Sequence, residues 1–143
     1  MHFEYFINGG DFSKAGQASS HFKKVLQQLN VAPQIIKRIV VALYEAEVNI
    51  VAHAFEGKII IELQPDSVVM MLTDKGPGIP DIEKAMEIGY STASPKVREM
   101  GFGAGMGLSN IKNNADHLEI SSTVGTGTTV TIKVNLKSDQ LTD

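Results

Sequence analysis

The chain has 143 residues, 43% hydrophobic and 20% charged, which suits one soluble globular domain with a real core. Its formal net charge of −3 argues against a general nucleic-acid binder, which would carry a basic face. With no cysteine, disulfides and thiolate metal sites are excluded.

MHFEYFIN at the N-terminus has the aromatic and β-branched content of a strand. No basic segment followed by an apolar run opens the chain, so no secretory signal is expected. No apolar run approaches the roughly 20 residues that span a bilayer, and the expected location is the cytoplasm. Residues 12–29 suit an amphipathic helix whose apolar stripe is Phe22, Val25, Leu26 and Leu29. Pro33 fits the first turn of a second helix running to about Phe55, with Ile36, Ile39, Val40, Leu43 and Ile50 as its core side. KIIIEL and SVVMMLTD then read as strands separated by a QPD turn. Residues 81–88 can make a short helix capped by Asp81, residues 89–104 read as a long loop, and a helix follows from about Gly105 to His117. LEISSTV and TTVTIKVNL, split by Gly125-Thr126-Gly127, close the chain as a hairpin, and KSDQLTD is a frayed tail. Strands in hairpin-connected pairs predict a mixed, mainly antiparallel sheet with helices on one face. The fold class is α+β, a two-layer α/β sandwich forming one domain over 1–143.

Three constellations carry chemistry. In YEAEVN, residues 44–49, Glu45, Asn49 and His53 are spaced i, i+4, i+8 and share a stripe of the second helix, with Ala42 and Ala52 beside it. That stripe is either a solvated face or a polar site with room above it. Glu47 points toward the apolar side, and no partner for it is legible. The second constellation, TDKGPGIP at 73–80, directly follows a strand. It is a turn stiffened by Pro77 and Pro80, or else it holds Asp74 as a fixed acceptor for an exocyclic amine such as that of adenine. The third, GFGAGMGLSNIK from 101, places glycine at 101, 103, 105 and 107 and runs into a helix. Bare backbone N–H groups ahead of a helix N-terminus form an anion site suited to polyphosphate, and a flexible surface loop is the alternative. No Gly-Lys-Ser/Thr follows, so it is no P-loop. The spacing never gives the dinucleotide fingerprint either.

Taken in order, Glu45-x-x-x-Asn49, Asp74-x-Gly76-x-Gly78, the Gly101–Gly107 run and Gly127-Thr128-Thr129 resemble the GHKL ATPase superfamily. Within it the chain is most similar to the small anti-sigma-factor serine/threonine kinases, and IGYSTASPKVREMGFGAGMGLSNIK to the switch-protein kinases of stress-signalling modules. The resemblance implies the Bergerat ATP-binding fold, ATP and Mg²⁺ as cofactors, and a separate protein as target. That target would be a STAS-type antagonist or scaffold protein phosphorylated on serine or threonine, or a sigma factor that is sequestered. No nucleic acid or membrane partner is implied. Anti-sigma relatives commonly pair as dimers and switch kinases can be monomeric, so a homodimer is allowed but not required.

By the same resemblance Glu45 is the catalytic base and Asn49 the Mg²⁺ ligand. Asp74 receives the adenine amine, with Gly76, Gly78 and Ile79 close to the ring and Thr128 assisting through its hydroxyl. Gly103, Ala104, Gly105, Met106 and Gly107 wrap the phosphates under a lid at about 89–106. Glu47 stands where relatives carry a small or neutral residue, and the expected consequence is extra negative charge near the metal that alters Mg²⁺ affinity or partner choice.

Overall fold

The computed structural model describes residues 1–87 and 107–136. Five strands, β1 (His2–Asn8), β2 (Glu56–Leu63), β3 (Ser67–Lys75), β4 (His117–Thr123) and β5 (Gly127–Asn135), form one sheet in the order β1-β2-β3-β5-β4. Each of the four neighbouring pairs is antiparallel, so the parallel share that the sequence left room for does not occur among the described residues.

Four helices accompany the sheet among the described residues: α1 (Gln17–Gln28), α2 (Pro33–His53), α3 (Ile82–Ala85) and α4 (Gly107–Asn114). The helix expected over 12–29 is interrupted near its start. A 3₁₀ turn covers Phe12–Lys14, and Gly16, at φ 92°, redirects the chain into α1. Phe22 and Leu26 are fully buried as expected, whereas Leu29 lies just past the helix end and is 42% exposed. α2 opens with Pro33 in its first turn and ends at His53, two residues early. α4 ends at Asn114, short of the expected His117, because His117 already pairs with Lys133 in the sheet. Asp81 caps α3 as expected, its carboxylate accepting the Lys84 amide at 3.1 Å.

The pleat sorts the core. Ile59 and Ile61 of β2, Val68, Met70 and Leu72 of β3, and Ile132 and Val134 of β5 are all buried, and apart from Ser67 before Val68 their neighbours along each strand are half-buried or exposed. They meet Phe22 and Leu26 of α1, Ile36, Ile39, Leu43 and Ile50 of α2, and Leu108 and Ile111 of α4 in one cluster. α2 packs between α1 and α4, which makes it the central helix of its layer. Burying its apolar stripe against the sheet turns the stripe of Glu45 and Asn49 toward α4. No helix among the described residues is long and apolar enough to cross a membrane.

Candidate active site

Two groups of polar residues stand out, one on α2 facing the start of α4 and one where β3 ends against the β4–β5 hairpin. On α2, Glu45 and Asn49 are half-buried, one turn apart. Both face the start of α4. A Cβ built on Gly107 would stand 3.1 Å from Asn49 Oδ1 and 3.4 Å from Glu45 Oε2. The bare glycine therefore lets α4 approach this acid–amide pair so closely that a side chain here would push the pair back by a few tenths of an ångström. Three residues along α4, Asn110 Nδ2 donates to Glu45 Oε1 at 3.2 Å, holding one carboxylate oxygen while Oε2 faces Gly107. Asn110 is not among the residues expected from the sequence, although its i+3 spacing from Gly107 places it on the same helix face.

His53, the third member of the stripe, is part-buried at the end of α2, and burial lowers its pKa below the ordinary 6.5. Burial therefore favours its neutral form. Glu47 departs from expectation. Rather than adding charge beside Asn49, its fully buried carboxylate turns to the N-terminus of α1. Oε2 accepts the amides of Gly16 at 3.0 Å and Ala18 at 3.1 Å, and Oε1 accepts that of Ser19 at 3.1 Å. These are orphan donors of a helix start, and the dipole there favours an anion. Gly16, as N-cap, has no side chain to supply that cap, so Glu47 supplies it from another helix. Its charge is felt nearby: burial first, then Glu47, pushes the Tyr5 phenol pKa upward.

The second group forms where β3 ends against the β4–β5 hairpin. Asp74 is part-buried and its Oδ1 accepts the Thr128 amide at 3.1 Å. Burial raises the Asp74 pKa, and the Thr128 hydrogen bond opposes that rise without cancelling it. Gly127 sits against the same residue so tightly that a Cβ there would fall 2.0 Å from the Asp74 carbonyl oxygen. Thr128 is buried, and its hydroxyl meets Ser122 Oγ at 2.9 Å. Ser122 Oγ also accepts the Ile79 amide at 2.7 Å and donates to the Gly127 carbonyl at 3.1 Å. Gly76 donates its amide to the Thr126 carbonyl at 3.1 Å, and Gly78, at φ 78°, lies against the Thr123 carbonyl. The turn after β3 is thus sewn to the β4–β5 hairpin, which fixes Asp74, Gly76, Gly78, Ile79 and Thr128 in one place. Ser122 is likewise a residue the sequence did not single out, although a serine at an inward position after Leu118 and Ile120 is a legible sign of a polar pocket.

The structure therefore brings together Glu45, Asn49 and Gly107 as one cluster, and Asp74, Gly76, Gly78, Ile79 and Thr128 as another. Gly103, Ala104, Gly105, Met106 and the lid expected at 89–106 lie outside the described residues. Chemically, the first cluster offers a carboxylate oxygen and a carboxamide oxygen to a cation or a hydroxyl. The second offers a fixed anionic acceptor beside close-approaching backbone. No group of three or more His, Cys, Asp or Glu among the described residues forms a metal cage. Magnesium needs none, since it takes one or two protein oxygens and fills its remaining positions with phosphate and water. The carboxamide oxygen of Asn49 fits that habit.

A two-layer sandwich whose central helix and strand ends carry these two clusters is the architecture of a nucleotide-dependent ATPase domain. The chain belongs to the histidine kinase-like ATPase domain family, which it matches over residues 11–134. It is 34% identical over 112 residues to the serine/threonine-protein kinase RsbT of Bacillus subtilis (strain 168), covering 76% of this chain and 78% of that one. It is 35% identical over 118 residues to the anti-sigma F factor of Thermoanaerobacter sp. (strain X514), covering 79% of each. The anti-sigma F factor of Caldanaerobacter subterraneus subsp. tengcongensis is 36% identical over 108 residues, 72% of each chain.

Proposed function

We propose that the chain binds ATP with Mg²⁺ and transfers the γ-phosphate to a serine or threonine of a separate regulatory protein, a STAS-type antagonist or scaffold. What carries the reading is the pairing of Glu45 Oε2 and Asn49 Oδ1 against the bare backbone of Gly107. Asp74 would receive the adenine amine, with Gly76, Gly78 and Ile79 against the ring and Thr128 supporting it. Asn49 would hold the magnesium ion. An ion held there would offset charge on the phosphates, leaving little covalent work to the protein. Gly103, Ala104, Gly105 and Met106 would complete the phosphate cradle that Gly107 begins. Glu45 then acts as base. The hydroxyl oxygen bonds the γ-phosphorus as the bond to the bridging oxygen of the leaving ADP breaks, and the hydroxyl proton passes to Glu45 Oε2. Asn110 keeps the other oxygen occupied and fixes the carboxylate's orientation.

The test is transfer of label from γ-labelled ATP, with Mg²⁺, to purified STAS-domain partners encoded near this chain. Wild type is expected to label a serine or threonine, and Glu45→Ala to label it about 10²–10⁴-fold more slowly with nucleotide binding retained by calorimetry. Equal labelling by the variant, or none by wild type, refutes the kinase reading. A second reading is favoured by the anti-sigma F factors among the relatives. In it the chain sequesters a sigma factor and nucleotide sets its shape. Nucleotide-dependent capture of a sigma factor that survives Glu45→Ala, without phosphoprotein, would select it.

A further inference from the structure

Away from the candidate active site, a cleft of about 590 Å³ opens between the C-terminal half of α1 and the N-terminal half of α2. Lys23, Gln27 and Asn30 wall one side, Lys37, Val40 and Val41 the other, and Val31, Ala32 and Pro33 close the end. Ile36 is buried in the floor, while Val31, Ala32, Val40 and Val41 stay only half-covered and Pro33 is exposed. The cleft shares no lining residue with the clusters of Glu45 and Asp74.

Its charge is unlike the chain's. The chain carries a net −3, yet this cleft is lined by two exposed lysines and no carboxylate. Among the described residues every ion pair is made by other side chains, and neither Lys23 nor Lys37 has one. The nearby Arg38 is already committed to Asp116 at 3.1 Å. An apolar floor with unspent positive charge on both rims matches a ligand that is apolar along a stripe and acidic along its edges. That is the surface of an acidic amphipathic helix, which lays its stripe into a groove through i, i+3, i+4 and i+7 anchors. A strongly basic or purely polar partner would leave the valines wet or the lysines opposed.

We propose that this α1–α2 cleft is a docking groove for an acidic amphipathic helix of a protein partner. The occupant would lie beside Val41, one turn before Glu45 on α2. The inference does not rest on the kinase reading, because no nucleotide or phosphate enters it.

The test uses the full ¹⁵N-labelled chain and two synthetic helical peptides that share a leucine stripe. One carries glutamates on both flanks and the other lysines. The acidic peptide should shift the amides of Val31, Val40 and Val41 in a saturable manner, and the basic peptide should not. The double reversal Lys23→Glu/Lys37→Glu changes two exposed side chains and should leave the fold's spectrum intact. It should weaken the acidic peptide by about tenfold or more and turn the preference toward the basic one. Added salt should weaken the wild-type pairing. The proposal is overturned if the acidic peptide leaves these amides unmoved, if both peptides bind alike, or if the reversal changes nothing. It is overturned also if anionic vesicles bind the cleft and the peptide does not, which would assign it to a membrane surface. Sedimentation showing that the reversal dissociates a dimer would overturn it equally, by assigning the cleft to a second copy of the chain.

Discussion

Replacing Glu47 by alanine deletes a carboxylate that sits at zero exposure and receives the amides of Gly16, Ala18 and Ser19. All three donors belong to buried residues, so water does not readily take the carboxylate's place. A buried donor left without a partner costs about 1–3 kcal/mol. Three of them set an upper range near 9 kcal/mol, and the relief of the carboxylate's own desolvation offsets part of it. With that offset, the expected loss for Glu47→Ala is about 3–5 kcal/mol, the low to middle part of the range for three stranded amide donors. Against a domain stability of about 5–15 kcal/mol the variant is marginal. Glu47→Gln keeps the shape but turns an NH₂ toward donors, so about half that loss is expected. With no tryptophan in the chain, urea unfolding is best followed by far-ultraviolet circular dichroism. Hydrogen exchange at Ala18 and Ser19 reports the α1 start directly, and both amides should exchange faster in the variants. An alanine variant within 1 kcal/mol of wild type (about the net value of an ordinary hydrogen bond), or a glutamine variant less stable than the alanine one, would refute the reasoning.

Asp74→Asn separates stability from binding. Because burial raises the folded pKa of Asp74, its ionised form costs stability at neutral pH, and that cost fades as pH falls through the raised value. The asparagine variant should therefore unfold at equal or higher urea than wild type at pH 7, yet bind ATP at least about tenfold more weakly by calorimetry. Wild-type ATP affinity should likewise decline on acidification, beginning above the ordinary carboxylate range. Gly107→Ala should keep or raise stability by up to about 1 kcal/mol, since Gly107 lies in a helix and is not among the positive-φ residues. Its Cβ would press on Asn49 and Glu45, so phosphoryl transfer should fall by about 10²-fold, measured as labelled partner per minute. For His53 the folded pKa lies below 6.5, so its contribution to stability is full above 6.5 and is lost as pH falls through the depressed value. His53→Gln should flatten that acid limb in thermal melts between pH 7 and 5, and an unchanged slope would exclude His53 as its source.

Much of the architecture is legible along the chain because its causes are local. Alternation in SVVMMLTD and TTVTIKVNL, Pro33 at a helix start and Asp81 before a short helix each act within a few residues, and each appears where expected. Asp74, Gly76 and Gly78 could be picked out for the same reason, since a strand end followed by a glycine turn holds its residues together without help from afar. Local signals misjudge the ends of elements. Gly16 breaks the first helix, and β4 begins before the last helix can reach His117.

What the sequence by itself determined is the set of elements and the stripe of Glu45 and Asn49, because a 3.6-residue period fixes which side chains share a face. Only the tertiary structure decided what those faces meet. Glu47 finds its donors 28 to 31 residues earlier, Glu45 is held by Asn110 from 65 residues away, and Thr128 reaches Asp74 across 54. Such bonds form because burial strips the groups of water and leaves each other as the available partners. No periodicity records a contact made that way, so a glutamate that looked like stray charge beside a metal site proved to be the cap of a neighbouring helix.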